Sequence, residues 1–222
     1  MEKSKNSTQI KICGLTRVDE AVKCALAGAD AIGCVFYSKS PRFVTIAQAK
    51  EICSHLPESV KSVGVFVNET CSNIMQTVER CGLQAVQLHG QELPGLVKEL
   101  RKNDIIVIKA LFTEKEPSLD KVSEYDASAF LLECGRGSLP GGNALKWNWA
   151  MAKSFGEKYP LILAGGLAPE NVIFAITESR PDAVDVSSGV ESCSGRKDLR
   201  KVKSFIDAVS QQNFKKRMRR IF

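Results

Sequence analysis

No stretch of these 222 residues supplies the roughly 20 predominantly apolar residues that a bilayer-spanning helix needs. The nearest approach, Ala25 to Tyr37, is interrupted by Asp30 and by glycines. The opening Met1-Glu-Lys-Ser-Lys-Asn-Ser-Thr-Gln9 lacks the apolar core of a secretory signal. A membrane is therefore not an expected partner, and the cytoplasm is the expected compartment. The eight cysteines, at positions 13, 24, 34, 53, 71, 81, 134 and 193, include no C-x-x-C pair. They read as reduced, mostly buried thiols rather than as a zinc or disulfide framework. Histidine is scarce, with only His55 and His89, and His55 falls on a predicted helix surface, so no metal site is expected. The body of the chain also lacks a basic stripe. Of the net charge of +6, five positive charges come from Lys215, Lys216, Arg217, Arg219 and Arg220, which leaves little to track a phosphodiester backbone. No nucleic-acid partner is expected.

What the chain has is alternation. Short β-rich runs at Gln9–Gly14, Ala31–Phe36, Ser62–Val67, Ala85–His89, Ile105–Ala110, Ala129–Glu133, Leu161–Ala164 and Ala183–Val186 are separated by segments of helical spacing. Several runs are almost continuously apolar, as strands covered on both faces must be. Helical spacing marks Val18–Leu26, Ala47–Leu56, Cys71–Cys81, Leu93–Arg101, Pro169–Glu178 and Asp198–Val209, with a short element around Pro117–Tyr125. Gly28 and Gly82 stand where helices should stop, and Thr16, Thr45 and Thr70 stand where others should be capped. Eight such units predict an α/β fold, a single (β/α)8 TIM barrel over residues 1–222 with a short basic tail at about 211–222. The rival, an open doubly wound sheet, would carry a glycine-rich turn after its first strand; Cys13-Gly-Leu-Thr16 is not one. In the tail, apolar and cationic residues alternate. A frayed, solvated end is the preferred reading and a short amphipathic helix on a partner the other.

In such a barrel the residues ending the strands form the site. Gly165 and Gly166 follow the seventh strand; Asp185 ends the eighth, followed by Ser187, Ser188 and Gly189. Glycines let backbone approach a ligand closely, and converging N–H groups hold a phosphate without a cation; tight turns are the alternative. Cys13 ends the first strand, where it is a base or nucleophile or, the stronger reading from composition alone, a packed structural thiol. Glu133 follows three apolar residues and is a partly desolvated acid or the partner of Lys11 or Lys109. Arg42 is solvated or a carboxylate clamp, a role its planar fork suits. His89 is a proton carrier or a hydrogen-bonded rim residue.

The blocks Lys11-Ile-Cys-Gly-Leu-Thr16, Ala27-Gly-Ala-Asp-Ala-Ile-Gly33, Val35-Phe-Tyr-Ser-Lys-Ser-Pro-Arg-Phe43, Val63-Gly-Val-Phe-Val-Asn68, Val86-Gln-Leu-His-Gly90, Ala164-Gly-Gly-Leu-Ala-Pro-Glu-Asn-Val172 and Val184-Asp-Val-Ser-Ser-Gly-Val-Glu191 resemble the phosphoribosylanthranilate isomerases of tryptophan biosynthesis. The resemblance runs from about residue 9 to 209. It implies an Amadori rearrangement of N-(5-phosphoribosyl)anthranilate to the 1-deoxyribulose 5-phosphate, with no metal or organic cofactor, by a monomer or homodimer. It also implies Cys13 as general base, and Glu133, where the family usually has aspartate, as general acid. Arg42 would meet the anthranilate carboxylate, the glycine and serine loops would hold the phosphate, and Asp185, His89 and Gly142 would line the substrate. The extra methylene of Glu133 could move its carboxyl by about 1 Å, which can cost on the order of 100-fold. Ala144, where the pattern has glycine, would strain a left-handed backbone by roughly 1 to 2 kcal/mol. These departures leave two alternatives: a decayed barrel that binds a phosphorylated sugar or a protein partner, and an isomerase of wider aminoaldose phosphate range.

Overall fold

The computed structural model describes residues 7–137, 146–212 and 218–222. Eight parallel strands close into a barrel in chain order. They are β1 (Gln9–Cys13), β2 (Ala31–Val35), β3 (Lys61–Phe66), β4 (Ala85–Leu88), β5 (Ile106–Phe112), β6 (Ala129–Glu133), β7 (Leu161–Leu163) and β8 (Ala183–Val186). β8 returns to pair with β1, setting Lys11 opposite Asp185, while on the other side Cys13 lies opposite Gly33 of β2. Because every strand runs the same way, all eight C-terminal ends meet at one rim. The expected (β/α)8 architecture is the observed one.

Side chains alternate between two apolar compartments, as strand geometry requires. Those facing outward pack with the helices in a large shell that includes Ile10, Ile12, Ile32, Val86, Leu132 and Val184. Those facing inward, among them Ala31, Val63, Ala110, Leu131, Ile162 and Ala183, fill the barrel. The covering helices are α1 (Val18–Ala27), α2 (Ile46–Ser54), α3 (Cys71–Cys81), α4 (Pro94–Arg101), α5 (Lys153–Lys158), α6 (Val172–Ser179) and α7 (Leu199–Ser210). Thr45 and Thr70 cap α2 and α3, and Gly28 and Gly82 end α1 and α3 in left-handed conformations. Thr16 does not cap: Arg17 holds the N-cap position of α1, and the Thr16 hydroxyl donates to the Gly195 carbonyl at 2.9 Å. Several elements were not expected, among them the short 3-10 turn Trp149–Ala152. Another is α5, and a third is a hairpin of β9 (Glu191–Cys193) and β10 (Arg196–Lys197).

The frayed reading of the tail is corrected for residues 218–222, while residues 213–217 lie outside the described residues. Residues 218–222 dock on the N-terminal end of the barrel, where Ile221 and Phe222 join the interior apolar cluster. Gln9, the first residue of β1, accepts from the backbone N–H groups of Ile221 and Phe222 at 3.0 and 2.9 Å and donates to the Arg219 carbonyl at 2.8 Å. Arg219 in turn donates to the Gly156, Glu157 and Tyr159 carbonyls and to the Asp182 carboxylate. A sequence alternating charge with apolar side chains thus serves as a floor, with the apolar members turned in and Arg219 satisfying the orphan carbonyls at the end of α5. Among the described residues, no helix is long and apolar enough to cross a membrane. None of the eight cysteines is in a disulfide, and five of them are buried.

Candidate active site

Cys13 is the last residue of β1 and faces the barrel mouth, buried with Val35 and Val65. Its sulfur leans on Gly33: a Cβ there would lie 2.7 Å from Sγ. Burial pushes the Cys13 thiol above its ordinary pKa, and the nearby Asp185 carboxylate adds to this; the Lys11 and Lys197 ammonium groups pull the other way and are outweighed. Lys11, two residues earlier and fully buried, pairs with Asp185 at 2.9 Å.

Arg42, in the loop after β2, is buried at the same side of the mouth. Its fork is engaged by an internal carboxylate, Nε to Glu191 Oε1 at 2.8 Å and Nη2 to Glu191 Oε2 at 2.7 Å. Lys197 of the β9–β10 hairpin donates to the same carboxylate at 2.8 Å and to the Ser187 carbonyl at 3.1 Å. Burial works to raise the Glu191 pKa, but the hydrogen bonds from Arg42 and the charge of Lys197 carry it below the usual value. For Lys197 burial wins, and its pKa falls.

Across the mouth, Glu133 ends β6. Its Oε1 lies 3.4 Å from His89 Nε2, a contact at ion-pair distance in which the nitrogen has no aligned hydrogen-bond acceptor. The other ring nitrogen of His89, Nδ1, is 3.0 Å from Gln87 Nε2. With the amide nitrogen as donor, the tautomer carrying its proton on Nε2, facing Glu133, is selected. The Phe112 ring stands edge-on against His89. Neither lysine expected as an alternative partner reaches Glu133 as a salt bridge: Lys11 is held by Asp185, and Lys109 by Glu92 at 2.7 Å.

The residues expected to hold a phosphate lie between these two walls. Gly165 and Gly166 have φ of 87° and 69°, a region closed to most side chains. Gly165 sits between the Trp147 ring and the Glu133 Cβ, which a Cβ of its own would meet at 3.0 and 3.2 Å. Trp147 and Trp149 donate to the Ala164 and Gly165 carbonyls. These two carbonyls are thereby paired within the protein. Ser188–Val190 forms a single 3-10 turn, and Gly189 packs on the Leu167 carbonyl, which draws the loops after β7 and β8 together. Ser187, Ser188 and Gly189 are half-buried. The Ser187 hydroxyl donates to the Cys13 carbonyl at 3.0 Å, so its proton already tethers β8 to β1.

The structure therefore gathers Cys13, Arg42, Asp185 and Ser187 on one side of the mouth and Glu133, His89 and Gly165 on the other. Gly142 and Ala144 lie outside the described residues. The sequence reading missed Glu191 and Lys197, which hold Arg42 and Ser187; only proximity in the closed barrel reveals them, since Arg42 and Glu191 are 149 positions apart. Among the described residues, no group of three or more His, Cys, Asp or Glu side chains is placed to hold a metal ion.

Comparisons with known proteins bear on this site. A family model described as N-(5'-phosphoribosyl)anthranilate (PRA) isomerase matches residues 10–208. The N-(5'-phosphoribosyl)anthranilate isomerase of Desulfatibacillum aliphaticivorans is 51% identical over 216 residues, 97% of this chain and 99% of that protein. That of Geobacter sulfurreducens is 45% identical over 201 residues, 89% and 96% of the two chains. Among solved structures, the phosphoribosyl anthranilate isomerase of Thermotoga maritima superimposes with a TM-score of 0.85 at 38% identity, covering 92% of this chain and all of that one. A phosphoribosyl anthranilate isomerase in complex with reduced 1-(o-carboxyphenylamino)-1-deoxyribulose 5-phosphate gives 0.82 at 37% identity, with the same coverage.

Proposed function

This chain belongs to the N-(5'-phosphoribosyl)anthranilate isomerase family, and from that premise we propose that Cys13 and Glu133 divide the proton transfers of its reaction. The reaction is the Amadori rearrangement of N-(5'-phosphoribosyl)anthranilate, an aldose–ketose isomerisation of tryptophan biosynthesis. Glu133 would donate a proton to the furanose ring oxygen as the C1–O bond breaks, leaving an imine between C1 and the anthranilate nitrogen. Cys13 would then remove the proton at C2, made acidic by that imine. The enolamine so formed becomes the ketone when C1 gains a proton and the C2 hydroxyl loses one, with no net change in atoms or charge.

The single observation that carries this assignment is the placement of the two groups, one ending β1 and one ending β6, with the glycine loops after β7 and β8 between them. A thiol kept mostly protonated by burial is a strong base in the fraction that ionises, and an imine makes the proton it must take unusually labile. His89, with Nε2 toward Glu133, is suited to holding that carboxyl at the ring oxygen. The backbone N–H groups of Gly165, Gly166, Ser188 and Gly189 would receive the phosphate.

Arg42 would meet the anthranilate carboxylate with Nη1, since Nε and Nη2 are engaged by Glu191. Asp185 is better suited to holding Lys11 than to touching substrate. The reading includes a cytoplasmic enzyme that acts as a monomer or homodimer.

The test is turnover of N-(5'-phosphoribosyl)anthranilate by the purified chain, by Cys13→Ser and by Glu133→Gln. The assignment expects an active parent and two variants that lose most turnover while still binding a reduced product analogue. A Cys13→Ser variant with parental turnover would remove Cys13 as the base. An inactive parent would instead favour a decayed barrel.

A further inference from the structure

A charged pair lies inside the barrel where an apolar one would pack. Lys11 is fully buried and its only ion-pair partner among the described residues is Asp185. The two stand in register on β1 and β8, and the interior around them is lined by small and aliphatic side chains such as Ala31, Ala110, Leu131 and Ala164. Replacing a buried ion pair by apolar residues of similar volume is often neutral or stabilising, so stability alone is a poor account of this one. Position supplies a better account. Residues 11 and 13 of one strand point the same way, into the barrel, with Lys11 one layer below the thiol. An ammonium has three donors. One is directed to Asp185 at 2.9 Å, and the charge of the ammonium acts on the Cys13 sulfur above it.

We propose that Lys11 is a positioning residue for Cys13: clamped by Asp185 beneath the mouth and facing the same way on β1, its ammonium stabilises the thiolate that acts as base. This rests on the assignment of Cys13 above. The other charged or titratable groups that act on the sulfur are Asp185 from β8, Lys197 from β10, Arg42 from the loop after β2 and Cys34 from β2. Arg42 and Lys197 are already bound to Glu191, whereas Lys11 lies on the same strand as the sulfur and has the larger effect on it. Asp185 keeps that cation charged: burial works against the ammonium, but the carboxylate and the sulfur beside it raise its pKa above the ordinary lysine value.

The experiment follows the pH dependence of Cys13 alkylation by iodoacetamide in the full-length protein, read by mass spectrometry of the peptide that carries Cys13, alongside kcat and KM. In Lys11→Met the alkylation midpoint should move up by about 1 pH unit or more, the usual effect of losing an opposite charge at contact distance. In the same variant kcat at neutral pH should fall about tenfold per unit of that shift, with KM within about threefold. Lys11→Arg should restore most of both. Should Lys11→Met fold poorly, Lys11→Met combined with Asp185→Asn leaves no unpaired charge. It should still shift the midpoint upward, because Lys11 acts on the sulfur more strongly than Asp185 does. An alkylation profile that superimposes on the parent's in both would overturn the proposal. The outcomes separate cleanly: a fully active Cys13→Ser removes the base assignment, whereas an inactive Cys13→Ser with an unmoved Lys11→Met profile removes only the role of Lys11.

Discussion

Cys13 and Gly33 face each other across the β1–β2 pair, and the sulfur occupies space that any other residue at 33 would claim. Glycine there is a steric requirement of the thiol, independent of backbone conformation. A methyl group would meet the Cys13 Cα and Cβ at 3.1 and 3.3 Å as well as the sulfur, so a rotamer change alone cannot relieve it. Gly33→Ala should therefore displace the thiol with the barrel intact. A displacement approaching 1 Å predicts a fall in kcat of about 10- to 100-fold. Steady-state kinetics with a parallel melting curve checks this. Parental kcat in a folded Gly33→Ala protein would show that the sulfur's position does not limit turnover.

Glu133 gives a graded series. Glu133→Gln keeps the shape and removes the transferable proton, and should lower kcat by about 100-fold or more, the scale of general acid catalysis. Glu133→Asp keeps the proton one methylene further back and should retain or improve activity. The ratio of the two kcat values is the measurement, and equal activities would place the acid elsewhere.

Glu191 gives a pH-dependent stability. Its pKa is lowered on folding, against an ordinary value of 4.5, so its contribution is fully present above that value and is lost as pH falls through the lower folded value. Glu191→Gln should cost about 3 to 5 kcal/mol at neutral pH, because Arg42 and Lys197 stay buried with one neutral partner. The difference from the parent should narrow as pH drops from 4.5 downward. Denaturant unfolding at several pH values reads this directly. A gap that stays constant into the acid range would mean that the carboxylate charge is not what holds the two cations.

Phe222 gives a stability effect without a catalytic one. Its side chain lies in the interior cluster at the opposite end from Cys13 and Glu133. Phe222→Ala should cost about 3 kcal/mol, as other buried Phe truncations do. For a chain of this size that lowers Tm by roughly 6 to 12 °C. Turnover measured well below Tm should stay within about twofold. An unchanged melting temperature would mean that the segment does not sit on the barrel floor in solution.

The eight barrel strands were legible because burial on both faces writes them as apolar runs. The rim was legible because Cys13 and Glu133 each close a largely apolar run, whereas Lys11 and Lys109 stand inside β1 and β5. The β9–β10 hairpin was not, since Glu-Ser-Cys-Ser-Gly-Arg-Lys shows neither strand alternation nor apolar content. Its work is done by Glu191 and Lys197, whose partners are remote in sequence. α5 is a short helix with only Phe155 and Gly156 buried, too little to show a period. The final residues misled for a different reason. Alternating cations and apolar groups specify amphipathicity but not the surface that receives it, and here that surface is made by Gln9 and Asp182. The alternative that paired Glu133 with Lys11 or Lys109 fails because β8 and the Glu92 loop claim the two lysines through Asp185 and Glu92.

Gln9 belongs to the earliest-made strand, yet its amide is satisfied by residues 219, 221 and 222. On a nascent chain, β1 gains one neighbour as soon as β2 appears, but its other edge stays open until β8 is made and the glutamine beneath it waits longer still. The seam between first and last strands is therefore the last to close, and a polypeptide halted before β8 would present an unpaired apolar edge for other chains to capture.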